Sequence, residues 1–153
     1  MRSRKFGSAF RGLVVSVALV VQALSQEHTM LRRGMLNIPQ TFGWNLDDGV
    51  IWGRGQSSGY FDFWYEAVSP DLRYLVPLRG ATLAATGNRA LGYGGCRSSN
   101  LSSKKIDFRN LRNGTFVCAH TAQGRYAEFS IDNFRLETDG TLTLSISFIT
   151  WAE

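Results

Sequence analysis

The clearest alternation of apolar and polar residues lies near the end of the chain. Over residues 141–148, Leu142, Leu144, Ile146 and Phe148 alternate with Thr and Ser. Successive side chains of a β-strand point to opposite faces, so this pattern predicts a strand with one buried side. An amphipathic helix would place apolar residues at i, i+3, i+4 and i+7, and no ten-residue segment after residue 25 does so. The chain is therefore predicted to fold mainly as β-structure.

Shorter segments that alternate in the same way, or that are rich in β-branched and aromatic residues, predict further strands. They are residues 42–46, 50–52, 60–67, 74–78, 81–86, 115–121 and 126–131. Segments with Asp, Gly, Pro or Ser separate several of them, as expected for turns, and the Gly- and Ser-rich residues 87–103 are expected to form a long loop. About seven to eight such strands predict an all-β fold, either an antiparallel β-sandwich or a small β-barrel.

The N-terminal residues have the layout of a secretory signal peptide. Arg2, Arg4, Lys5 and Arg11 precede an uncharged apolar run at residues 13–24. This run is shorter than the about 20 residues of a membrane-spanning helix, and small residues suited to cleavage follow it. We therefore predict that residues 1–25 are a cleaved signal peptide and that the protein is secreted or periplasmic. An uncleaved membrane anchor is the alternative.

Removal of this segment changes the charge of the protein. The full chain has 17 Lys and Arg against 12 Asp and Glu, a net charge of +5, but residues 1–25 hold four of the basic residues and no acidic residue. The remainder has 13 basic against 12 acidic residues. This balance does not indicate a nucleic-acid partner or a membrane partner. Residues 26–37 show no clear period and are expected to form a flexible arm, and residues 38–153 are expected to form a single all-β domain.

The chain contains two cysteines, Cys96 and Cys118. In an exported protein such a pair usually forms a disulfide, which stabilises the fold mainly by restricting the unfolded chain. Two thiols are too few to complete a zinc site by themselves. We expect a disulfide between the two cysteines, and a reactive or metal-binding thiol is the alternative.

Three segments resemble a small exported all-β module of bacteria. They are FDFWYEAVSPDLRYLVPLRGA at residues 61–81, GTFVCAHTAQGRYAEFSI at 114–131 and TLTLSISFITW at 141–151. The resemblance covers most of the chain after the signal peptide and implies the same fold class. The module has no assigned activity, so the resemblance implies no site residues. Cys118 and His120 depart from the pattern of this module. The prediction of a disulfide therefore depends on the two cysteines of this sequence and not on the resemblance.

Few residues are typical of an enzyme. The chain has two histidines, His28 and His120, and His28 falls in the expected flexible arm. His120 follows Cys118 by two residues, which places both on one face of a strand, but a cysteine in a disulfide has no thiolate to act as a nucleophile. Asp62 and Glu66 would lie roughly 13 Å apart along a strand, farther than the carboxyl pairs of glycosidases. A secreted hydrolase is therefore a minor alternative.

Metal and phosphate sites have little support in the sequence. The segment at residues 45–49 carries several oxygen ligands but lacks the ligand spacing of an EF-hand, so we favour a polar turn. The glycines of residues 53–59 are not followed by the Lys and Ser or Thr of a phosphate-binding loop. We predict no catalytic residue, no metal site and no cofactor.

The sequence YFDFWYEA at residues 60–67 is the best candidate for a binding surface. If this segment forms a strand, one of its faces has the composition of a core and carries Phe61, Phe63, Tyr65 and Ala67. The other face would meet solvent and carries Asp62, Trp64 and Glu66, with Tyr60 leading into it. An indole between two carboxylates suits a sugar ring or a cationic group of a protein partner. The alternative is that Trp64 only covers the edge of the domain.

These patterns predict an exported, non-catalytic binding module. The predicted ligand is a carbohydrate or an envelope or surface protein, and the predicted ligand-binding residues are Trp64, Asp62, Glu66 and Tyr60. The alternative is a structural or assembly domain that uses an exposed sheet edge and binds no small ligand.

Overall fold

A computed structural model describes residues 28–53 and 60–152 of the chain. The predicted signal peptide, residues 1–25, lies outside these residues and stays a prediction. Within the described ranges, no helix is long and apolar enough to cross a membrane.

The described part of the chain forms ten strands and one short α-helix. The strands are β1 (Met30–Pro39), β2 (Gly43–Asn45), β3 (Val50–Trp52), β4 (Phe63–Ser69), β5 (Leu72–Pro77), β6 (Thr82–Gly87), β7 (Ile106–Asp107), β8 (Phe116–His120), β9 (Tyr126–Leu136) and β10 (Leu142–Trp151). The helix α1 (Gly92–Arg97) lies inside the segment that was expected to be a loop throughout.

The strands form two antiparallel sheets of five strands each. Sheet A has the order β1-β10-β9-β8-β6, and sheet B has the order β3-β2-β4-β5-β7. The prediction of an all-β fold is therefore confirmed. The predicted number of strands is wrong, because β1 and β7 were not recognised.

The first described strand corrects the prediction of a flexible arm at residues 26–37. Met30–Pro39 instead forms β1, which pairs with β10 from Met30 opposite Trp151 to Pro39 opposite Thr143. The first six residues of β1 are exposed, and only Leu36 and Ile38 are buried. The strand is thus held largely by backbone hydrogen bonds to β10, and its sequence shows no alternation.

Both sheets contribute to one hydrophobic cluster. Sheet A supplies Ile38, Val117, Ala119, Phe129, Ile131, Leu144 and Ile146, among others, and sheet B supplies Trp44, Phe63, Tyr65 and Leu75. All of these side chains are at most 1 % exposed. The alternation predicted for β10 is confirmed, since Leu144, Ile146 and Phe148 are buried in this cluster.

The opposite face of sheet A carries α1, and a disulfide and a buried carboxylate are among the contacts that hold it in place. The predicted disulfide is confirmed, because Cys96 of α1 is bonded to Cys118 of β8. The carboxylate of Glu128, on β9, accepts hydrogen bonds from the backbone N–H groups of Leu91 (2.6 Å) and Gly92 (3.2 Å). A covalent bond and a buried carboxylate therefore fix this loop on the sheet.

Candidate functional site: an aromatic face on sheet B

The two faces of β4 have different environments. Phe63 and Tyr65 point into the core and are fully buried. The residues between them point the other way, because side chains alternate along a strand. Trp64 and Glu66 are accordingly half-buried on the outward face of sheet B, and Trp64 also packs against the edge of the core.

The register of sheet B lines up a row of side chains across four strands. Trp52 on β3 lies opposite Gly43 on β2, Gly43 lies opposite Trp64 on β4, and Trp64 lies opposite Val76 on β5. Directly paired residues of neighbouring strands share one face of the sheet. Trp52, Trp64 and Val76 therefore lie together on the outward face, and each is half-buried.

Phe61 fills the gap that Gly43 leaves in this row. A Cβ atom on Gly43 would lie 2.7 Å from Cγ of Phe61, so the ring of Phe61 rests directly on the glycine backbone. The Phe61 and Trp52 rings meet edge to face, with centroids 5.4 Å apart. We call the surface formed by Trp52, Phe61, Trp64, Tyr74 and Val76 the aromatic face.

The far side of the aromatic face has a charged edge. Glu66 lies opposite Tyr74, which in turn lies opposite Asp107. Nζ of Lys105 lies 2.8 Å from Oε2 of Glu66 and 3.8 Å from the centre of the Tyr74 ring. The hydrogen bond to Glu66 raises the pKa of Lys105, and the two side chains form an ion pair at this edge.

Asp62 does not lie on the aromatic face, and the expectation that it faces solvent is wrong. Its side chain is fully buried just before β4 begins. Oδ2 accepts a hydrogen bond from the backbone N–H of Leu46, and Oδ1 accepts one from that of Ala122, both at 2.8 Å. Asp62 therefore joins two distant turns, and the strand alternation on which the prediction rested does not extend to it.

The burial of Asp62 changes its titration. The pKa of Asp62 is raised from 3.8 to about 6, mainly by desolvation, which outweighs the two backbone hydrogen bonds that lower the pKa. The nearby charges of Asp47 and Asp48 contribute to the increase. These contacts indicate a structural role for this carboxyl group.

The contacts of Tyr60 are with residues outside the aromatic face. It is 64 % exposed, and its ring lies 5.0 Å from the guanidinium carbon of Arg79. Its carbonyl oxygen accepts a hydrogen bond from Nδ2 of Asn45 at 2.7 Å. Of the four predicted ligand-binding residues, the structure thus brings together Trp64 and Glu66.

The polar segment at residues 45–49 is a turn between β2 and β3. Oδ1 of Asn45 accepts a hydrogen bond from the N–H of Asp48 at 2.9 Å, and the N–H of Gly49 donates to the Asn45 carbonyl at 3.0 Å. Asp47 is paired with Arg125, whose guanidinium lies 3.0 Å from Oδ1. These side chains stabilise the turn and its contact with Arg125.

Cys118 lies two residues before His120 and has no free thiol, because it is bonded to Cys96.

The sequence did not predict Trp52 and Tyr74 as members of the surface around Trp64. Both lie on this face through pairing between strands. The expectation that Phe61 lies on the core face is wrong, because its ring packs on Gly43 on the outward face. Only the position of Trp52 had a signal nearby in the sequence, the short hairpin between β2 and β3. The register of this hairpin places Trp52 opposite Gly43.

Comparisons with protein-family models, with curated proteins and with solved structures find no match. The resemblance of three segments to an exported module therefore stays a prediction.

Proposed function

We propose that the protein is an exported, non-catalytic binding module whose two sheets pack as a β-sandwich, and that the aromatic face binds its ligand. The disulfide is compatible with an oxidising compartment outside the cytoplasm. The single observation that carries the proposal is the register that places Trp52 and Trp64 in one half-exposed row on the outward face of sheet B.

The ligand class that best suits this surface is an extended carbohydrate chain. Trp and Tyr rings are large, rigid contact surfaces with a polar group, and the apolar C–H face of a sugar can stack on such rings. Trp52 and Trp64 are two strands apart, which corresponds to roughly 10 Å across a sheet. This separation suits two rings of one chain better than a single sugar. Glu66 and Lys105 at the edge can bond to hydroxyl groups.

Substitution of the two tryptophans tests the proposal. We expect Trp52→Ala and Trp64→Ala each to weaken retention on insoluble cellulose, chitin or peptidoglycan at least about tenfold, a change of about 1.4 kcal/mol. Trp52→Ala is the cleaner variant, because Trp64 also packs against the core. The measurement is depletion of the protein from solution by each polymer, with the melting temperature of each variant measured in parallel.

Leu136→Ala provides a matched control, since Leu136 is 69 % exposed but lies on sheet A. It should leave retention unchanged. Equal retention of wild type and folded Trp52→Ala would contradict the proposal. That result would favour the second candidate, an assembly domain, which one observation supports: β1 pairs with β10 alone among the described strands and exposes Met30, Leu31 and Met35 along its ten residues.

A further inference from the structure

A cleft of about 570 Å³ lies at one end of sheet A and shares no lining residue with the aromatic face. The turn between β1 and β2 forms one wall, and the β9–β10 hairpin forms the other. Its polar and charged lining includes Asn37, Gln40, Thr41, Arg135, Glu137 and Asp139.

Thr41 has a backbone conformation that is unfavourable for its residue type. The N–H of Phe42 donates to the carbonyl of Pro39 at 3.2 Å, so Thr41 is the third residue of a four-residue turn. Its φ is 68°, in the left-handed region where this turn position usually has Gly or Asn. A β-branched residue in this conformation is strained, and such strain is often found at functional sites.

Three side chains in the cleft have unused hydrogen-bonding groups. Oδ1 of Asn37 accepts from Oγ of Ser145 at 2.7 Å, and Oε1 of Gln40 accepts from the N–H of Leu142 at 3.4 Å. The amide N–H groups of Asn37 and Gln40, and the hydroxyl of Thr41, have no hydrogen-bond partner among the residues that the structure describes. Donors and an acceptor from two neighbouring segments therefore line one cleft.

The charged residues of the cleft carry both signs. Nε of Arg135 lies 2.8 Å from Oε1 of Glu137, and Oδ1 of Asp139 accepts from the N–H of Thr141 at 2.9 Å. An anion or a cation would therefore meet a like charge as well as an opposite one. A neutral ligand with several hydroxyl groups can use the carboxylates as acceptors and the guanidinium and amides as donors.

We infer that this cleft is a second binding site, one that takes a neutral polyhydroxyl ligand such as a single sugar unit, with the Thr41 hydroxyl in direct contact with it. The site shares no residue with the aromatic face. A negative result for the aromatic face would therefore not contradict this second site, and a negative result for this site would not contradict the proposed function.

Three variants of the turn residues test this inference. Thr41→Gly removes both the strain and the hydroxyl, so we expect the melting temperature to rise by a few degrees while affinity falls about tenfold or more. Thr41→Ser keeps the hydroxyl and should keep the affinity. Arg79→Gly is the matched control, because Arg79 also has a positive φ, of 53°, and lies outside the cleft, so stability should rise with affinity unchanged.

The probes are glucose, galactose, mannose and N-acetylglucosamine, titrated to tens of millimolar against the full protein. Binding is followed by the NMR shifts of the amides of residues 40–42 and 139–141. Saturable shifts that disappear in Thr41→Gly and persist in Thr41→Ser and Arg79→Gly support the site. Absence of saturable shifts with every sugar, or equal affinity of Thr41→Gly and wild type, overturns it. Trp52→Ala should leave these shifts intact, which separates a failure of this site from a failure of the aromatic face.

Discussion

Replacement of Asp62 by Ala should destabilise the protein by roughly 2–5 kcal/mol at pH 5. The substitution leaves the backbone N–H groups of Leu46 and Ala122 without their acceptor, and an unsatisfied buried donor costs about 1–3 kcal/mol. It also removes a side chain that connects the segment after β2 with the turn after β8, where the Asp47–Arg125 ion pair remains. Urea unfolding of the protein with its disulfide intact measures the loss.

The stabilisation that Asp62 provides should depend on pH. Its folded-state pKa is raised to about 6 from 3.8, so the folded protein holds this proton more tightly than the unfolded chain does. The resulting stabilisation is complete below about pH 3.8 and is lost as the pH rises through about 6. A shift of about two units corresponds to about 3 kcal/mol between these limits.

Two variants isolate this effect. The side chain introduced by Asp62→Asn cannot titrate. The difference in unfolding free energy between wild type and Asp62→Asn should therefore change by about 3 kcal/mol between pH 3 and pH 8. Groups that titrate elsewhere affect both proteins equally, so their contributions cancel in this difference. Asp71→Ala is the matched control, because Asp71 is exposed and its charge is not among those that shift the pKa of Asp62, so it should change stability by at most about 0.5 kcal/mol. An Asp62→Ala variant within 1 kcal/mol of wild type at pH 5 would contradict a structural role.

Removal of the disulfide should cost about 3 kcal/mol. The bond joins residues separated by 22 positions, and closing a loop of this size restricts the unfolded chain by about that amount. We therefore expect the Cys96→Ala, Cys118→Ala double variant to unfold at a clearly lower urea concentration than the oxidised wild type.

In the double variant, the amides of α1 should lose protection from hydrogen exchange under conditions in which the rest of the protein stays folded. Without the bond, α1 is held on sheet A by the Glu128 carboxylate and by Tyr93, whose ring meets those of Tyr126 and Trp151 edge to face. Hydrogen exchange at Gly92–Arg97 should therefore accelerate more than exchange in β9. Unchanged exchange in α1 would show that the disulfide does not anchor this loop.

The fold follows from the sequence where a strand has one buried face. β10 alternates Leu, Ile and Phe with Thr and Ser, and the structure buries Leu144, Ile146 and Phe148. β1 has no such pattern, since its first six residues are exposed and the strand forms through pairing with β10. β7 has only two residues, too few to show any period.

The candidate site was less predictable, because it depends on contacts between strands. The alternation of β4 correctly places Trp64 and Glu66 away from Phe63 and Tyr65. The same alternation fails for Asp62, which lies before the strand begins and turns inward to two backbone donors. No local pattern could show that Trp52 would lie in line with Trp64, since Gly43 stands between them in the register.

The indole N–H signals of the tryptophans report directly on whether the aromatic face binds a ligand. A soluble oligosaccharide of the polymer that retains the protein is titrated into the full protein and followed by NMR. We expect saturable shifts for Trp52 and Trp64 and no shift for Trp44, which is fully buried in the core. Saturable binding that leaves the Trp52 and Trp64 signals unchanged would show that the aromatic face is not the binding site.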